Sequence, residues 1–226
     1  MDELEEPGRE RRELPRTARG LRTRAALIAA ARTVFERDGY VGARLVDITA
    51  EAGCATGSFY TYFAGKKEIF AAVLEAAQEE MLHPQMPELD RRDDPIAVIE
   101  AANRAYLAAY RRNAKLMELL EQVAAIDDEI RDFRRRRNAL FTGRNARAIA
   151  ELQRRGIADP ELDPEIAATA LSSMVSRTAA SVYVSGESRT DDGVLAATLT
   201  RLWTNALAIG SRTPSPPAAQ SDRRQT

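Results

Sequence analysis

Apolar residues recur every three or four positions along most of the chain, which is the pattern of amphipathic helices. The first such segment covers about residues 23–38 and ends at Gly39, since glycine commonly stops a helix. The same period predicts further helices at about residues 66–81, 95–110, 114–126, 128–155, 164–185 and 194–209. The sequence therefore predicts an all-α fold.

The stretch at residues 44–66 is patterned differently from these helices. A helical apolar period ends at Gly53, and a second helical segment of only seven residues follows at 56–62. Two short helices joined by a glycine-containing turn form the helix-turn-helix plan, whose second helix enters the DNA major groove. Apart from Phe59, and Phe63 just after it, the residues of the second segment are small or able to form hydrogen bonds. A short polar helix is also compatible with a plain surface element, so this pattern alone leaves both interpretations open.

A motif in this stretch favours the first interpretation. Gly53, the run GSFYTYF at residues 57–63 and Lys66 together resemble the DNA-binding segment of the TetR family of transcriptional regulators. The resemblance is densest over about residues 22–75, and beyond them only the all-helical layout is shared. It implies an N-terminal three-helix helix-turn-helix DNA-binding unit followed by a C-terminal helical bundle for ligand binding and dimerisation.

The resemblance also implies a division of the chain. We expect a flexible N-terminal arm at residues 1–20, a helix-turn-helix domain at 21–80, a helical ligand-binding and dimerisation domain at 81–209 and a disordered tail at 210–226. The arm is rich in arginine, and arms of this kind follow the DNA minor groove in other proteins. A solvated tail is an equally good interpretation of the same composition.

Two helix caps depart from the family pattern. Arg44 stands where a threonine commonly opens the first helix of the pair, and Ala55 stands where a serine usually caps the second. Thr56 is therefore expected to act as the cap of the second helix and to start it one residue late. A lost cap costs about 1 kcal/mol. These departures bear on operator sequence more than on the DNA-binding fold.

Charge is distributed unevenly although the net charge is only −1. Residues 9–67 contain twelve lysines and arginines against six acids, which concentrates positive charge on the expected DNA-binding end. Lys66 and Lys67 fall in the first turn of a helix, where a bound phosphate would offset their conflict with the helix dipole. The arginine run at 134–137 spreads around its helix beside several acids, so we interpret it as a solvated, ion-paired face.

Other function classes lack support in the sequence. The chain has one cysteine and one histidine, and no motif for a metal, a cofactor or catalysis, so we expect no enzyme activity, no metal and no cofactor. Cys54 is interpreted as a small corner residue, with a thiol sensor as the alternative. No apolar run approaches the roughly 20 residues of a membrane span. We expect a cytoplasmic protein without a membrane partner.

The resemblance assigns roles to the helix-turn-helix residues. Gly57 is expected to allow close approach to the DNA backbone, while Thr56, Ser58 and Thr61 meet base edges. The expected phosphate contacts are Tyr60, Tyr62, Lys66 and Arg44. The partner is thus predicted to be a near-palindromic double-stranded operator.

The C-terminal half supports three further predictions. Helices near 164–185 and 194–209 are apolar over more than one stripe, which predicts a homodimer through these last two helices, with the filling of a large single-chain core as the alternative. A small hydrophobic or amphipathic effector is expected among aromatic and isolated polar side chains, namely Asn103, Tyr106, Tyr110, Phe133, Asn138, Phe141, Met174 and Arg177. The predicted function is a ligand-responsive repressor. The alternative is an all-helical protein-interaction module with a vestigial helix-turn-helix.

Overall fold

The computed structural model describes residues 17–83, 94–186 and 190–210, and all regular structure within them is helical. This confirms the predicted all-α fold class. The nine helices of these residues are α1 (Ala18–Gly42), α2 (Leu45–Glu51), α3 (Thr56–Tyr62), α4 (Lys66–Leu82), α5 (Pro95–Arg112), α6 (Ala114–Ala124), α7 (Asp128–Arg154), α8 (Pro164–Tyr183) and α9 (Asp192–Ala206). The predicted arm up to residue 16 and the predicted tail from residue 211 lie outside the described residues.

The start of α1 differs most from the prediction. Thr17 accepts a hydrogen bond from the backbone N–H of Gly20 at 3.1 Å, and this cap starts the helix at Ala18 rather than at residue 23. Residues 18–20, assigned to the arm from sequence, are therefore helical. Gly39, predicted to end the helix, kinks it instead: its φ of 73° lies in the left-handed region that glycine tolerates, and α1 resumes beyond it to Gly42.

The chain forms two compact units. The described residues of unit 1 are 17–83 and 109–137, and those of unit 2 are 94–108, 138–186 and 190–210. Unit 1 thus combines the helices of the expected DNA-binding domain with α6 and with parts of α5 and α7. A domain boundary between residues 80 and 81, as expected from the sequence, would separate α6 and these parts of α5 and α7 from the helix-turn-helix. As a functional boundary it stays a prediction.

Aromatic side chains form the centre of unit 1. The rings of Phe35 and Phe70 meet edge to face at 5.0 Å, and Tyr40 lies 4.8 Å from Phe70. Around them α1 packs against α2, α4 and α6, while α4 also contacts α6. Two fully buried side chains, Ile48 of α2 and Phe59 of α3, tie the short helices to this core.

Unit 2 is built on α8, α9 and the adjoining parts of α5 and α7. Leu171 and Val175 of α8 and Leu199 of α9 are buried. Two polar contacts cross between helices: the Asn103 amide donates to the Thr200 hydroxyl at 3.1 Å, and the Asn145 amide donates to Ser172 at 2.9 Å.

Candidate nucleic-acid interface

The turn between α2 and α3 is closed by backbone hydrogen bonds. Gly53 adopts a φ of 65°, which favours glycine, and the next N–H, that of Cys54, donates to the Thr49 carbonyl at 3.0 Å. The hydroxyls of Thr49 and Thr56 lie 3.2 Å apart and join the two helices across the turn. Cys54 is half-buried in this corner, the position that the sequence predicted for it.

Helix α3 presents one polar face to solvent. Phe59 and Phe63 are buried, whereas Thr56, Gly57, Tyr60 and Thr61 are exposed. The other two predicted DNA contacts of this helix, Ser58 and Tyr62, are half-buried at its edges. A Cβ on Gly57 would meet no atom of the protein within 4 Å. The protein's own packing therefore does not require glycine at this position, whereas a closely approaching partner would.

The caps of the two short helices do not follow the sequence prediction. Ala55, not Thr56, is the residue before α3, and it provides no side-chain cap. Thr56 is already the first helical residue, since the extended backbone that precedes the helix is that of Ala55, and the Thr56 hydroxyl contacts Thr49. The expectation that Thr56 caps a late-starting helix was wrong.

Arg44 also provides no cap, since its guanidinium makes a paired contact with Asp47. The Nε–Oδ2 and Nη2–Oδ1 distances are 2.7 and 2.9 Å. This hydrogen-bonded pair holds the pKa of the Asp47 carboxyl below its usual range. Arg44 is largely exposed, so the pair leaves its outer edge open to a phosphate, and its DNA contact stays a prediction.

Lys66 is bound within unit 1. Its ammonium donates to the carbonyls of Val41 and Ala43 at 3.1 and 3.2 Å and lies 5.0 Å from the centre of the Tyr40 ring. A lysine ammonium has three donors, so one remains for a phosphate. Lys66 thus holds the connection from α1 to α2, a role that the sequence did not indicate, and its DNA contact stays a prediction.

Several other cations of this region have internal partners. Arg32 pairs with Glu36, Arg37 with Asp38, and Lys67 with Asp127 and Glu129. Among the described residues, Arg19 and Arg22 are exposed on α1 without an ion-pair partner. The guanidinium of Arg24 lies 5.1 Å from the centre of the Phe63 ring, next to the end of α3. The sequence did not single out Arg24, although its basic surroundings at the start of α1 were a signal.

The arginine run at 134–137 is ion-paired only in part. Arg134 lies 2.5 Å from Glu121, and Arg135 lies 3.2 Å from Asp132, as the solvated, paired interpretation predicts. Arg137 is buried, with its Nη2 atom 3.4 Å from the sulfur of Met81. The prediction was therefore wrong for Arg137, because its position on α7 faces the core of unit 1.

The predicted effector residues are distributed over both units. Tyr110 and Phe133 are buried in unit 1. In unit 2, Asn103 is buried, the rings of Tyr106 and Phe141 meet edge to face at 5.8 Å, and Met174 is half-buried. Asn138 and Arg177 are exposed, so their side chains face solvent and are not enclosed by the protein. An effector site at these residues stays a prediction.

Helices α8 and α9 carry apolar side chains on their outer surfaces. Ile166 of α8 is exposed, as are Val194 and Leu202 of α9, while the neighbouring Leu199 is buried.

In residues 17–83, 94–186 and 190–210, no three histidine, cysteine or acidic side chains form a group able to hold a metal ion. None of the helices formed by these residues combines the length and hydropathy needed to cross a membrane.

Two short helices that are joined by a tight turn and anchored by Ile48 and Phe59, with a polar outward face on the second, have the helix-turn-helix plan of DNA-binding proteins. Residues 27–73 match the family model described as bacterial regulatory proteins, tetR family. Over these residues the chain matches the TetR family of transcriptional regulators. Proteins of this family regulate transcription and are not enzymes.

Two relatives with names are HTH-type transcriptional regulators. The chain is 34% identical over 58 residues to the HTH-type transcriptional regulator YfiR of Bacillus subtilis (strain 168), which covers 26% of this chain and 28% of YfiR. It is 26% identical over 170 residues to the HTH-type transcriptional repressor BepR of Brucella suis biovar 1 (strain 1330), covering 70% of this chain and 79% of BepR.

The fold is shared with SmeT, the repressor of the Stenotrophomonas maltophilia multidrug efflux pump SmeDEF. A structure of SmeT with triclosan superposes with a TM-score of 0.70 at 22% identity, covering 86% of this chain and 96% of SmeT. At this identity the likeness shows the fold alone.

Proposed function

We infer that this protein is a ligand-responsive transcriptional repressor that binds a near-palindromic operator as a dimer in the cytoplasm. The observation that carries the proposal is the outward face of α3, where Thr56, Gly57, Tyr60 and Thr61 are exposed while Phe59 anchors the helix. Polar groups on a rigidly anchored helix can read base edges in the major groove.

The DNA contacts divide into two kinds. Thr56, Ser58 and Thr61 read bases, and Gly57 lets the backbone approach. Tyr60, Tyr62, Lys66 and Arg44 contact phosphates and set the position of α3. Base contacts decide sequence preference, whereas phosphate contacts contribute affinity for every sequence.

Dimerisation through α8 and α9 would place two copies of α3 in successive major grooves. A two-fold axis requires each subunit to present the same surface, and the exposed apolar residues Ile166, Val194 and Leu202 lie on the two helices proposed to form it. A near-palindromic operator then follows from the two-fold symmetry.

The effector is proposed to be a small, largely apolar molecule bound by unit 2. Support comes from the predicted effector residues that lie in unit 2, such as Tyr106 and Phe141, and from SmeT, a protein of the same fold that has been solved with triclosan. A ligand releases DNA only if it binds the DNA-incompetent state more tightly. A coupling of about 1–3 kcal/mol would change DNA affinity roughly 5–150-fold.

Selection of binding sites from random double-stranded DNA tests the DNA-binding part. The full chain should select a near-palindromic consensus, and Thr61→Ala should change that consensus. Thr33→Ala is the matched control, because Thr33 is an exposed helical threonine of α1 whose hydroxyl bonds the Ala29 carbonyl. A vestigial helix-turn-helix predicts no selected consensus at all, and that result would overturn the proposal.

Thermal-shift measurements with triclosan and other hydrophobic small molecules test the effector part. A true effector should stabilise the free protein against heat. If the effector lowers the affinity for operator DNA by a given factor, operator DNA should lower the affinity for the effector by the same factor. Hits that bind equally well with and without operator would contradict the switch.

A further inference from the structure

Lys67 lies in the first turn of α4, where a positive charge opposes the helix dipole. Its ammonium lies 2.9 Å from Oδ2 of Asp127 and 3.4 Å from Oε2 of Glu129. Both acids are at the start of α7, directly after the turn that ends α6. The protein therefore supplies Lys67 with carboxylates of its own, where the sequence had suggested a DNA phosphate.

The two oxygens of Asp127 have separate partners. Oδ2 contacts Lys67, while Oδ1 accepts a hydrogen bond from the backbone N–H of Ile130 at 3.1 Å and so caps α7. Burial alone would raise the pKa of Asp127, but the hydrogen bonds from Lys67 and Ile130 outweigh it and hold that pKa below its usual range. The carboxylate is thus charged near neutral pH.

The contact acts next to the recognition helix. Helix α3 ends at Tyr62 and α4 begins at Lys66, so only three residues separate them, and one of these, Phe63, is a buried anchor. With so short and anchored a connection, the beginning of α4 and the end of α3 must move together.

A second polar contact holds α4 towards its other end. Glu80 accepts hydrogen bonds from Nε of Arg112 at 2.5 Å and from the Asn113 amide at 3.0 Å. Between the two contacts, the inner face of α4 is buried and packs against α1 and α6. At the α3 end, Lys67–Asp127 acts alongside the hydrogen bonds of Lys66 to the Val41 and Ala43 carbonyls, and it is the contact there that reaches α7.

We propose that Lys67 and Asp127 are positioning residues for DNA recognition, whose ion pair holds the start of α4, and with it the end of α3, at the turn between α6 and α7. The inference rests on the proposed DNA-binding function. Neither side chain needs to touch DNA in this role. Loss of the pair should lower the preference for operator over random DNA, by roughly two- to fivefold for an ion pair of this exposure.

Asp127→Asn separates positioning from capping, because asparagine also caps helices well. Asp132→Asn is the matched control, since it removes an acid from the same helix and leaves Arg135 without its exposed partner. Dissociation constants for operator and random DNA should be measured at several salt concentrations. We expect the operator preference to fall in Asp127→Asn and to stay at the wild-type value in Asp132→Asn.

The lysine gives an independent measurement that involves no helix cap. Lys67→Met should lower the operator preference as Asp127→Asn does, and Lys67→Arg should restore most of it because the ion pair can re-form. Thermal unfolding of each variant shows that it is folded before binding is compared.

Two outcomes would overturn the inference. If Asp127 merely shields Lys67 from DNA, Asp127→Asn should bind all sequences more tightly, with unchanged preference and a steeper salt dependence. If Asp127→Asn and Asp132→Asn both keep the operator preference of the wild-type protein, Lys67 and Asp127 are not positioning residues, whereas the proposed function stands. A wild-type protein without any operator preference would instead overturn the proposed function, and the inference with it.

Discussion

At the scale of single residues, burial separates anchoring from recognition within one turn of α3. Phe59 is fully buried, whereas the next residue, Tyr60, is 51% exposed. The two rings contact each other at 5.5 Å, so the exposed tyrosine is positioned by the buried phenylalanine. Neighbouring aromatic residues therefore have different consequences when they are removed.

Phe59→Ala and Tyr60→Ala should have opposite patterns of effect. Loss of the buried ring should lower the free energy of unfolding by about 3–5 kcal/mol. Loss of the exposed ring should change stability by no more than about 0.5 kcal/mol, but should weaken binding to all DNA sequences. Chemical denaturation and fluorescence anisotropy measure the two quantities. A Tyr60→Ala protein with wild-type DNA affinity would contradict the phosphate assignment.

Lys66 combines an internal contact with a predicted phosphate contact. Lys66→Ala should lower the free energy of unfolding by about 0.5–1.5 kcal/mol, because the Val41 and Ala43 carbonyls lose their donor. It should also weaken DNA binding and reduce the salt slope by about one unit. Weaker binding with an unchanged salt slope would leave Lys66 only its internal role.

At the scale of helices, α3 is a short element without a side-chain cap. Seven residues form too few internal hydrogen bonds for stability in isolation, so α3 depends on Phe59, Phe63 and the turn before it. Its first N–H groups accordingly lack the hydroxyl partner that serine provides at such positions in many helices.

Ala55→Ser should therefore stabilise the protein. A serine hydroxyl before α3 can accept a hydrogen bond from the free end of the helix, and we expect the free energy of unfolding to rise by about 1 kcal/mol. No gain from serine in urea denaturation would show that α3 is already satisfied by other groups.

Helix α4 depends on two carboxylates, Asp127 and Glu80. Burial acts to raise the pKa of Glu80, as it does for Asp127, but hydrogen bonds from Asn113 and Arg112 hold it below its usual range. A pKa lower in the folded state stabilises the fold above the unfolded value of about 4 and loses this effect as pH falls through the folded value. Unfolding followed by circular dichroism should therefore show stability falling below about pH 4, less steeply in Asp127→Asn.

At the scale of the whole molecule, the proposed repressor requires two subunits. The exposed apolar residues of α8 and α9 belong to one unit, and a charge placed among them should oppose association without disturbing the interior of that unit.

Leu202→Glu tests this proposal because Leu202 is 46% exposed, whereas Leu199 is only 2% exposed. We expect Leu202→Glu to give a folded monomer with weakened operator binding, and Leu199→Glu to unfold unit 2. Leu140→Glu, at an exposed leucine of α7, is the matched control and should remain dimeric. Sedimentation at micromolar concentration measures the state, and a monomeric wild-type protein would refute dimerisation.

The sequence by itself determined the helical elements and the position of the recognition helix. Apolar periodicity and glycine stops are local signals, so α3 was predicted at residues 56–62, the bounds that the structure shows. The anchoring role of Phe59 and Phe63 followed from their isolation among polar neighbours. The family motif then linked this local pattern to DNA binding.

Only the tertiary structure decided which groups pair across the chain. Lys67 and Asp127 are sixty positions apart, and Lys66 meets carbonyls more than twenty residues before it. No local period encodes such contacts, because they arise where the helices pack. For the same reason the sequence could not show that Arg137 faces the core or that residues 109–137 belong with the helix-turn-helix. Local patterns specify elements, whereas packing specifies their partners.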